Sequence, residues 1–168
     1  MTLAEAAVSA DTLAQAGSER ELADLRSEWG EELESAARSA DFRERAVAFR
    51  AIGQFRWRAK EELLRRGLDD ESPACRGSAL LSLELLSRDH PSTVNGVRSL
   101  LHTMVTSDGN AAVRRLAVLC LKNGSPERNT IVLLEGLADD DEGDAEFRRA
   151  ASSVAQQLKR RAPKPKRN

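Results

Sequence analysis

Apolar residues recur along much of this chain at the three- and four-residue intervals that are typical of amphipathic helices. The stretch 92–105 shows this period well, and short polar segments with Gly, Asn, Asp or Pro separate one such run from the next. The pattern therefore predicts pairs of helices joined by short turns. First helices are predicted at 19–38, 57–68, 92–105 and 126–137, and second helices at 43–53, 74–86, 112–121 and 146–158.

Polar residues at the starts of these runs indicate where the helices begin. A Ser or Thr followed three residues later by Glu matches the capping box, in which each side chain accepts a hydrogen bond from the other residue's backbone amide. This pattern occurs at Thr2 with Glu5 and at Ser18 with Glu21. Further N-caps are predicted at Asp41, Ser72, Asn110, Ser125 and Asp144, of which Ser72 and Ser125 precede a proline.

The run 111–124 is apolar almost all round, with Arg114 and Arg115 near its start and Lys122 near its end. A solitary amphipathic helix needs a polar face along its whole length. A helix inside a repeat array does not, because it packs against its own partner and against neighbours on both sides. The run therefore predicts an interior helix of such an array.

An arginine opens each second helix, and an alanine follows it three residues later. The arginines lie 31, 38 and 34 residues apart, and an acidic turn precedes each one. Self-similarity at such a period is typical of helical repeat proteins. The arginines are Arg45, Arg76, Arg114 and Arg148, and the acidic residues assigned to their turns are Asp41, Asp70, Asp108 and Asp140.

Three of these runs resemble the Val-Arg-x-x-Ala signature of HEAT repeats in their short bacterial form: Cys-Arg-Gly-Ser-Ala at 75–79, Val-Arg-Arg-Leu-Ala at 113–117 and Phe-Arg-Arg-Ala-Ala at 147–151. The resemblance implies an all-α, right-handed α-solenoid of about four HEAT-like helical hairpins plus an N-terminal helix. It also implies that the four arginines bond to the acidic turns as a structural inter-repeat ladder. The predicted domains are a capping helix at 1–17, a repeat domain at 18–161 with units at about 18–55, 56–88, 91–123 and 125–161, and a disordered basic tail at 162–168.

The composition agrees with a helical domain that is stable without a metal ion or a disulfide. The chain has 168 residues, of which 40% are hydrophobic and only 4% aromatic, and a chain of this size buries a core without metal or disulfide. Cys75 and Cys120 lie in apolar helical runs and are predicted to be buried thiols. The N-terminus has no basic start, and no apolar run approaches the roughly 20 residues of a membrane span. We therefore expect a cytoplasmic protein.

The residue pattern does not predict catalysis, a cofactor or a metal. His90 and His102 have no second ligand at metal spacing, and the acidic run 139–144 lacks the ligand pattern of an EF-hand. Alkylpurine DNA glycosylases, which are HEAT-like, use tryptophans in a DNA cleft. Trp29 and Trp57 fall on first helices, which by resemblance form the outer face. We therefore expect a non-enzymatic protein.

A protein-binding scaffold is the leading functional prediction, because helical solenoids usually recognise partners through the face that their second helices form. Matching offsets after two of the arginines predict an apolar strip on this face for a partner helix. Basic residues beside it favour an acidic partner. The strip is Leu80, Leu81, Val118 and Leu119, and the basic residues are Arg115, Lys122 and Arg149.

The charge distribution leaves two alternatives open. Residues 1–40 hold nine acidic and three basic residues, whereas residues 142–168 hold eight basic and three acidic ones. The basic end favours contact with nucleic-acid phosphates, although the pI of about 6.2 and the lack of interleaved aromatics oppose it. Complementary ends also favour head-to-tail self-association.

Overall fold

The computed structural model describes residues 1–166, and these are all-helical, with no β-strand among them. The predicted all-α class is therefore confirmed. The residues 167 and 168 of the predicted disordered tail lie outside the described part, and residues 162–166 form no helix. The helices are α1 (Leu3–Gln15), α2 (Glu19–Ala37), α3 (Phe42–Gln54), α4 (Glu61–Leu68), α5 (Pro73–Ser87), α6 (Ser92–Asn95), α7 (Arg98–Ser107), α8 (Ala111–Leu121), α9 (Arg128–Ala138) and α10 (Ala145–Arg161).

Two of the predicted first helices differ from the structure. The run 57–68 begins with a 3₁₀ turn, Arg58–Lys60, before α4, so Trp57 precedes the helix rather than lying on it. The run 92–105 is broken into α6 and α7 at Gly96. Glycine is a poor helix former, and the next residue, Val97, leaves the α-helical region with φ −121° and ψ 16°.

The helix starts follow the predicted capping chemistry at several sites. Thr2 and Glu5 form the capping box, whereas Ser18 makes no side-chain bond and its predicted box with Glu21 is wrong. Ser125 does not cap α9, because Glu127 is the N-cap residue and the helix begins two residues beyond Pro126. Side-chain N-caps are confirmed at Asp41, Asn110 and Asp144.

The chain divides into two compact units. Unit 1 covers Met1–His90, and unit 2 begins at Pro91. In unit 1, α1, α3 and α5 pack side by side in one row, and α2 and α4 lie on that row. In unit 2, α8 and α10 form the corresponding row, and α7 and α9 pack on it and on each other. Within unit 1 we call α1, α3 and α5 the inner helices and α2 and α4 the outer helices. Within unit 2 we call α8 and α10 the inner helices and α7 and α9 the outer helices.

A close approach within unit 1 joins α3 to α5. A Cβ atom placed on Gly53 would lie 2.5 Å from the Cα atom of Ser82. The buried Ser82 hydroxyl donates to the carbonyl oxygens of Phe49 and Arg50 and accepts from the Gly53 amide at 2.9 Å. The absent side chain at Gly53 therefore lets the two helices meet at backbone distance, and the hydroxyl bonds the two backbones together.

Two absences hold for the described residues. None of the helices in residues 1–166 is both long enough and apolar enough to cross a membrane. The same residues contain no group of three or more His, Cys, Asp or Glu side chains that could hold a metal ion. Cys75 and Cys120 are both buried and neither forms a disulfide, so the prediction of buried thiols is confirmed.

Candidate functional site

The turn before each second helix has a recurring geometry built around the predicted arginines. In three of the four turns, Nη1 of the arginine donates to the backbone carbonyl oxygen six residues earlier. Such charge-assisted bonds satisfy carbonyls that the end of the preceding helix leaves without partners. The bonds join Arg45 to Ser39 (3.1 Å), Arg76 to Asp70 (2.9 Å) and Arg114 to Asp108 (3.3 Å).

The same three turns share a second bond. The side chain six residues before the arginine accepts a hydrogen bond from the backbone amide two residues later, which belongs to the N-cap residue of the next helix. Short Asp and Ser side chains favour this local bond. The pairs are Ser39 with Asp41 (3.1 Å), Asp70 with Ser72 (2.9 Å) and Asp108 with Asn110 (2.9 Å).

Arg45 also links its own turn to the next turn of unit 1. Its Nε and Nη2 atoms donate to both carboxylate oxygens of Asp70, at 2.9 and 3.0 Å. Only 13% of the Arg45 side chain and 10% of the Asp70 side chain are exposed. Burial alone would raise the pKa of Asp70, but the bonds from Arg45 and from the Ser72 amide outweigh it and hold that pKa below its usual range. The hydrogen bond to Asp70 in turn raises the pKa of Arg45.

Unit 2 joins its inner helices by different contacts. The guanidinium of Arg114 lies 5.8 Å from the centre of the Phe147 ring. The neighbouring Arg115 bonds to Glu146 at 2.8 Å, with 39% and 63% of the two side chains exposed. Arg148 donates to the carbonyl oxygen of Ala138 at 3.1 Å, which lies in its own hairpin. The inner helices of unit 2 are therefore linked by a cation–π contact and an exposed ion pair.

The predicted arginine ladder is wrong at two of its acidic residues. Asp41 accepts from the backbone amide of Arg43 at 2.9 Å as the N-cap of α3. Asp140 accepts from the backbone amide of Glu142 at 3.1 Å within the long turn before α10. Both side chains are exposed, and among residues 1–166 neither pairs with the guanidinium of an arginine. Their carboxylates are used locally because free helix-terminal and turn amides are the nearest donors.

The predicted apolar strip is wrong at two of its four positions. Leu80 and Val118 are fully buried and belong to the core, because their helices are covered on more than one side. Leu81 is 39% exposed, and Leu119 is partly exposed. Since neighbouring residues on a helix point about 100° apart, only the second member of each pair can face solvent here.

The basic residues predicted beside the strip lie on the two inner helices of unit 2. Arg115, Leu119 and Lys122 follow one another at four- and three-residue intervals on or just beyond α8, so they share one face. Arg149 is exposed on α10, and no hydrogen bond or ion pair engages its side chain within residues 1–166. The backbone carbonyl of Lys122 accepts from Arg161 of the same unit. This face of α8 therefore carries two basic residues and one apolar residue.

The structure adds residues in unit 1 that the sequence pattern does not single out. Val8 on α1 and Val47 on α3 are 59% and 38% exposed, although both helices are inner ones. The Nη1 atom of Arg50 is buried without a hydrogen-bond partner in the described part. Burial lowers the pKa of Arg50, and nearby Arg56 lowers it further while Asp11 opposes the shift. In the sequence, the spacing of three residues between Val47 and Arg50 already places both on one face of a helix. That spacing does not tell whether the face is exposed.

Neither comparison with known proteins names a relative of this chain. No protein-family model matches it, and no curated protein matches it either.

Proposed function

We propose that this protein is a non-enzymatic, HEAT-like α-solenoid that binds a protein partner through the face formed by its second helices. In this proposal the chain is a right-handed array of about four hairpins with α1 as an N-terminal cap. The recurring turn supports it, because an arginine and, six residues before it, a short Ser or Asp side chain make the same two bonds in three turns, two in unit 1 and one in unit 2. Stacked repeats of this kind usually act as binding surfaces.

Exposed aliphatic side chains on adjacent inner helices carry the proposal for the binding face. In unit 1, α1, α3 and α5 each expose one large aliphatic residue: Val8, Val47 and Leu81. Apolar side chains exposed on neighbouring elements and set among charged residues are typical of interaction surfaces. We expect the partner to bury these three side chains.

Arg50 gives the proposed face a polar anchor. Its Nη1 atom is buried and has no acceptor in residues 1–166, and a buried donor without an acceptor destabilises the free protein. The nearby carboxylates already accept hydrogen bonds from other arginines: Asp11 accepts from Arg56, and Glu84 accepts from Arg88. A carboxylate or carbonyl oxygen of the partner would satisfy Arg50 if the side chain turns outward when the partner binds. The basic residues Arg115 and Arg149 favour the same kind of acidic partner in unit 2.

Site-specific photo-crosslinking in cells of the native host tests this face. A photoreactive phenylalanine analogue at Leu81 is expected to give one defined protein adduct, which Arg50→Gln weakens and the pair Arg115→Glu and Arg149→Glu abolishes. The matched control carries the analogue at Val132, which is 57% exposed but lies on the outer helix α9. An adduct at Val132 and none at Leu81 would place binding on the outer face instead.

Nucleic-acid binding, as in a relative of the alkylpurine DNA glycosylases, is the second candidate. One observation favours it: Arg149, Arg160, Lys164 and Lys166 are exposed. Salt-sensitive binding of labelled duplex or single-stranded DNA in the micromolar range, lost on reversal of these charges, would support it. Absence of binding at low salt would exclude nucleic-acid binding.

A further inference from the structure

A groove in unit 1 lies where three helices begin or end. It has a volume of about 520 Å³, which is within the range of sites that hold small molecules or peptide segments. Its floor is aliphatic and its rim is charged. The lining residues are Thr2, Leu3 and Ala4 of the first helix start, Glu32, Ser35 and Ala36 of α2, and Arg43, Glu44 and Val47 of α3.

The surroundings of the groove are acidic. Glu32 and Glu44 lie on its rim, and no ion pair engages either carboxylate within residues 1–166. An acidic ridge leads away from Glu32 along the exposed side of α2, and its carboxylates are likewise without ion pairs in the described part. The one basic lining residue, Arg43, stacks its guanidinium 5.5 Å from the Phe42 ring. The ridge consists of Glu21, Asp24, Glu28 and Glu31, at helical intervals of three and four residues.

The same chain carries a segment whose chemistry matches this groove. After α10, the residues Pro163, Lys164, Pro165 and Lys166 are exposed and form no helix. Prolines fix an extended backbone in advance, so little conformational entropy is lost when such a segment binds. Their rings are apolar enough for the floor at Leu3, and a lysine directly follows each proline. Neither lysine forms an ion pair within residues 1–166.

We propose that the groove of one molecule binds the 162–166 segment of a second copy, giving head-to-tail association. The two prolines pack on the aliphatic floor, and Lys164 and Lys166 pair with Glu32 and Glu44. The wider charge distribution acts in the same direction, with nine acidic residues among the first 40 and eight basic residues among the last 27, so that encounter is electrostatically steered. This contact shares Val47 with the proposed partner face. It uses neither Leu81 nor Arg149, so the charge-exchange test below is separate from the test of partner binding.

Charge exchange between two variants of the full chain tests the proposal. One variant carries Glu32→Lys and Glu44→Lys, and the other carries Lys164→Glu and Lys166→Glu. Sedimentation velocity of the unaltered protein at about 50 mM salt is expected to show concentration-dependent association, which about 500 mM salt removes. Each variant alone is expected to be monomeric, because its groove and its tail carry the same charge sign. An equimolar mixture is expected to associate again, because both contacts become complementary.

A matched control reverses two exposed carboxylates outside the groove, Glu62→Lys and Glu142→Lys, and is expected to associate like the unaltered protein. Circular dichroism confirms that every variant is folded. A monomer at all concentrations and salts would overturn the proposal. Two monomeric variants that remain monomeric when mixed would also overturn it, because they would show that the lost charges do not face each other.

Discussion

The two units place their buried polar contacts in different layers. In unit 1 the well-buried pair Arg45–Asp70 joins the turns of two successive inner helices. In unit 2 the corresponding network lies between the outer helices, where Arg98 donates to the Ser125 carbonyl at 3.2 Å and lies 3.4 Å from the Thr130 hydroxyl. His102 lies 2.9 Å from that same hydroxyl.

Turn length accounts for much of this difference. The turn before α5 has four residues, 69–72, whereas the turn before α10 has six, 139–144. The extra residues move the carboxylate that accepts a turn amide, Asp140, to eight positions before Arg148 instead of six. An aspartate at Asp70's position therefore serves both its own N-cap amide and the arginine of the previous turn, while Asp140 serves only its own turn. The repeated residues determine the hydrogen bonds within each turn. The length of the turn determines whether its carboxylate can also pair with the arginine of a neighbouring turn.

Asp70→Asn is expected to have the largest effect on stability. The change keeps the acceptor for the Ser72 amide but leaves the buried Arg45 guanidinium without its close counter-charge. Breaking a buried pair in this way costs about 3 kcal/mol. Denaturant unfolding followed by tryptophan fluorescence measures it, because both tryptophans, Trp29 and Trp57, lie in unit 1.

The matched control for that prediction is Glu146→Gln, which breaks the exposed pair with Arg115 in unit 2. An exposed ion pair contributes at most about 1 kcal/mol. Equal losses for the two substitutions, measured by circular dichroism, would show that burial does not distinguish the two contacts.

Gly53→Ala is expected to destabilise unit 1 by about 2 kcal/mol, because its new methyl group would overlap the backbone and side chain of Ser82. Gly136 in α9 is the control, since nothing lies within 4 Å of a Cβ atom placed there. Gly136→Ala is expected to stabilise unit 2 by up to about 1 kcal/mol through helix propensity alone. A stabilising Gly53→Ala would contradict the close α3–α5 contact.

Arg98→Lys is expected to cost about 1.5 kcal/mol in unit 2. Lysine keeps the charge but cannot reach the Ser125 carbonyl, Asn95 and Thr130 together as the planar guanidinium does. Circular dichroism unfolding measures the loss, with tryptophan fluorescence as the signal for unit 1. No change in the unfolding midpoint would show that the outer network of unit 2 is not stabilising.

The smallest expected effect is a difference between the two units in how their stability depends on pH. Burial, with Arg98 nearby, lowers the pKa of His102 from its usual value near 6.5, although Glu127 opposes the shift. The unfolded chain therefore takes up this proton at a higher pH than the folded one, so unit 2 loses stability as pH falls below about 6.5. The lowered pKa of Asp70 makes the corresponding loss in unit 1 begin only below its usual value near 3.8.

Unfolding measured between pH 7.5 and 5 tests this separation. His102→Gln keeps an amide near Thr130 and removes the titration, so we expect it to flatten the pH dependence of the circular dichroism signal in that range. An unchanged slope in this variant would assign the pH dependence to another group.

The hydrophobic period and capping residues were enough to predict the all-helical fold and the bounds of the second helices, because both depend on contacts within one or two turns of chain. The break at Gly96 and the start of α4 after Trp57 were not predictable in this way, since both follow an otherwise continuous apolar pattern. The Arg-x-x-Ala repeat also identified the arginines that close three of the turns on backbone carbonyls.

Side-chain exposure on the inner helices required the tertiary structure. The hydrophobic period places Leu80 and Leu81 on adjacent faces of one helix, and likewise Val118 and Leu119. It does not indicate how many of those faces a neighbouring helix covers. The same limit applies to Arg45 and Asp70, which are 25 residues apart and pair only because α3 packs on α5. Local bonding follows from sequence order, whereas burial and long-range pairing depend on which helices lie side by side.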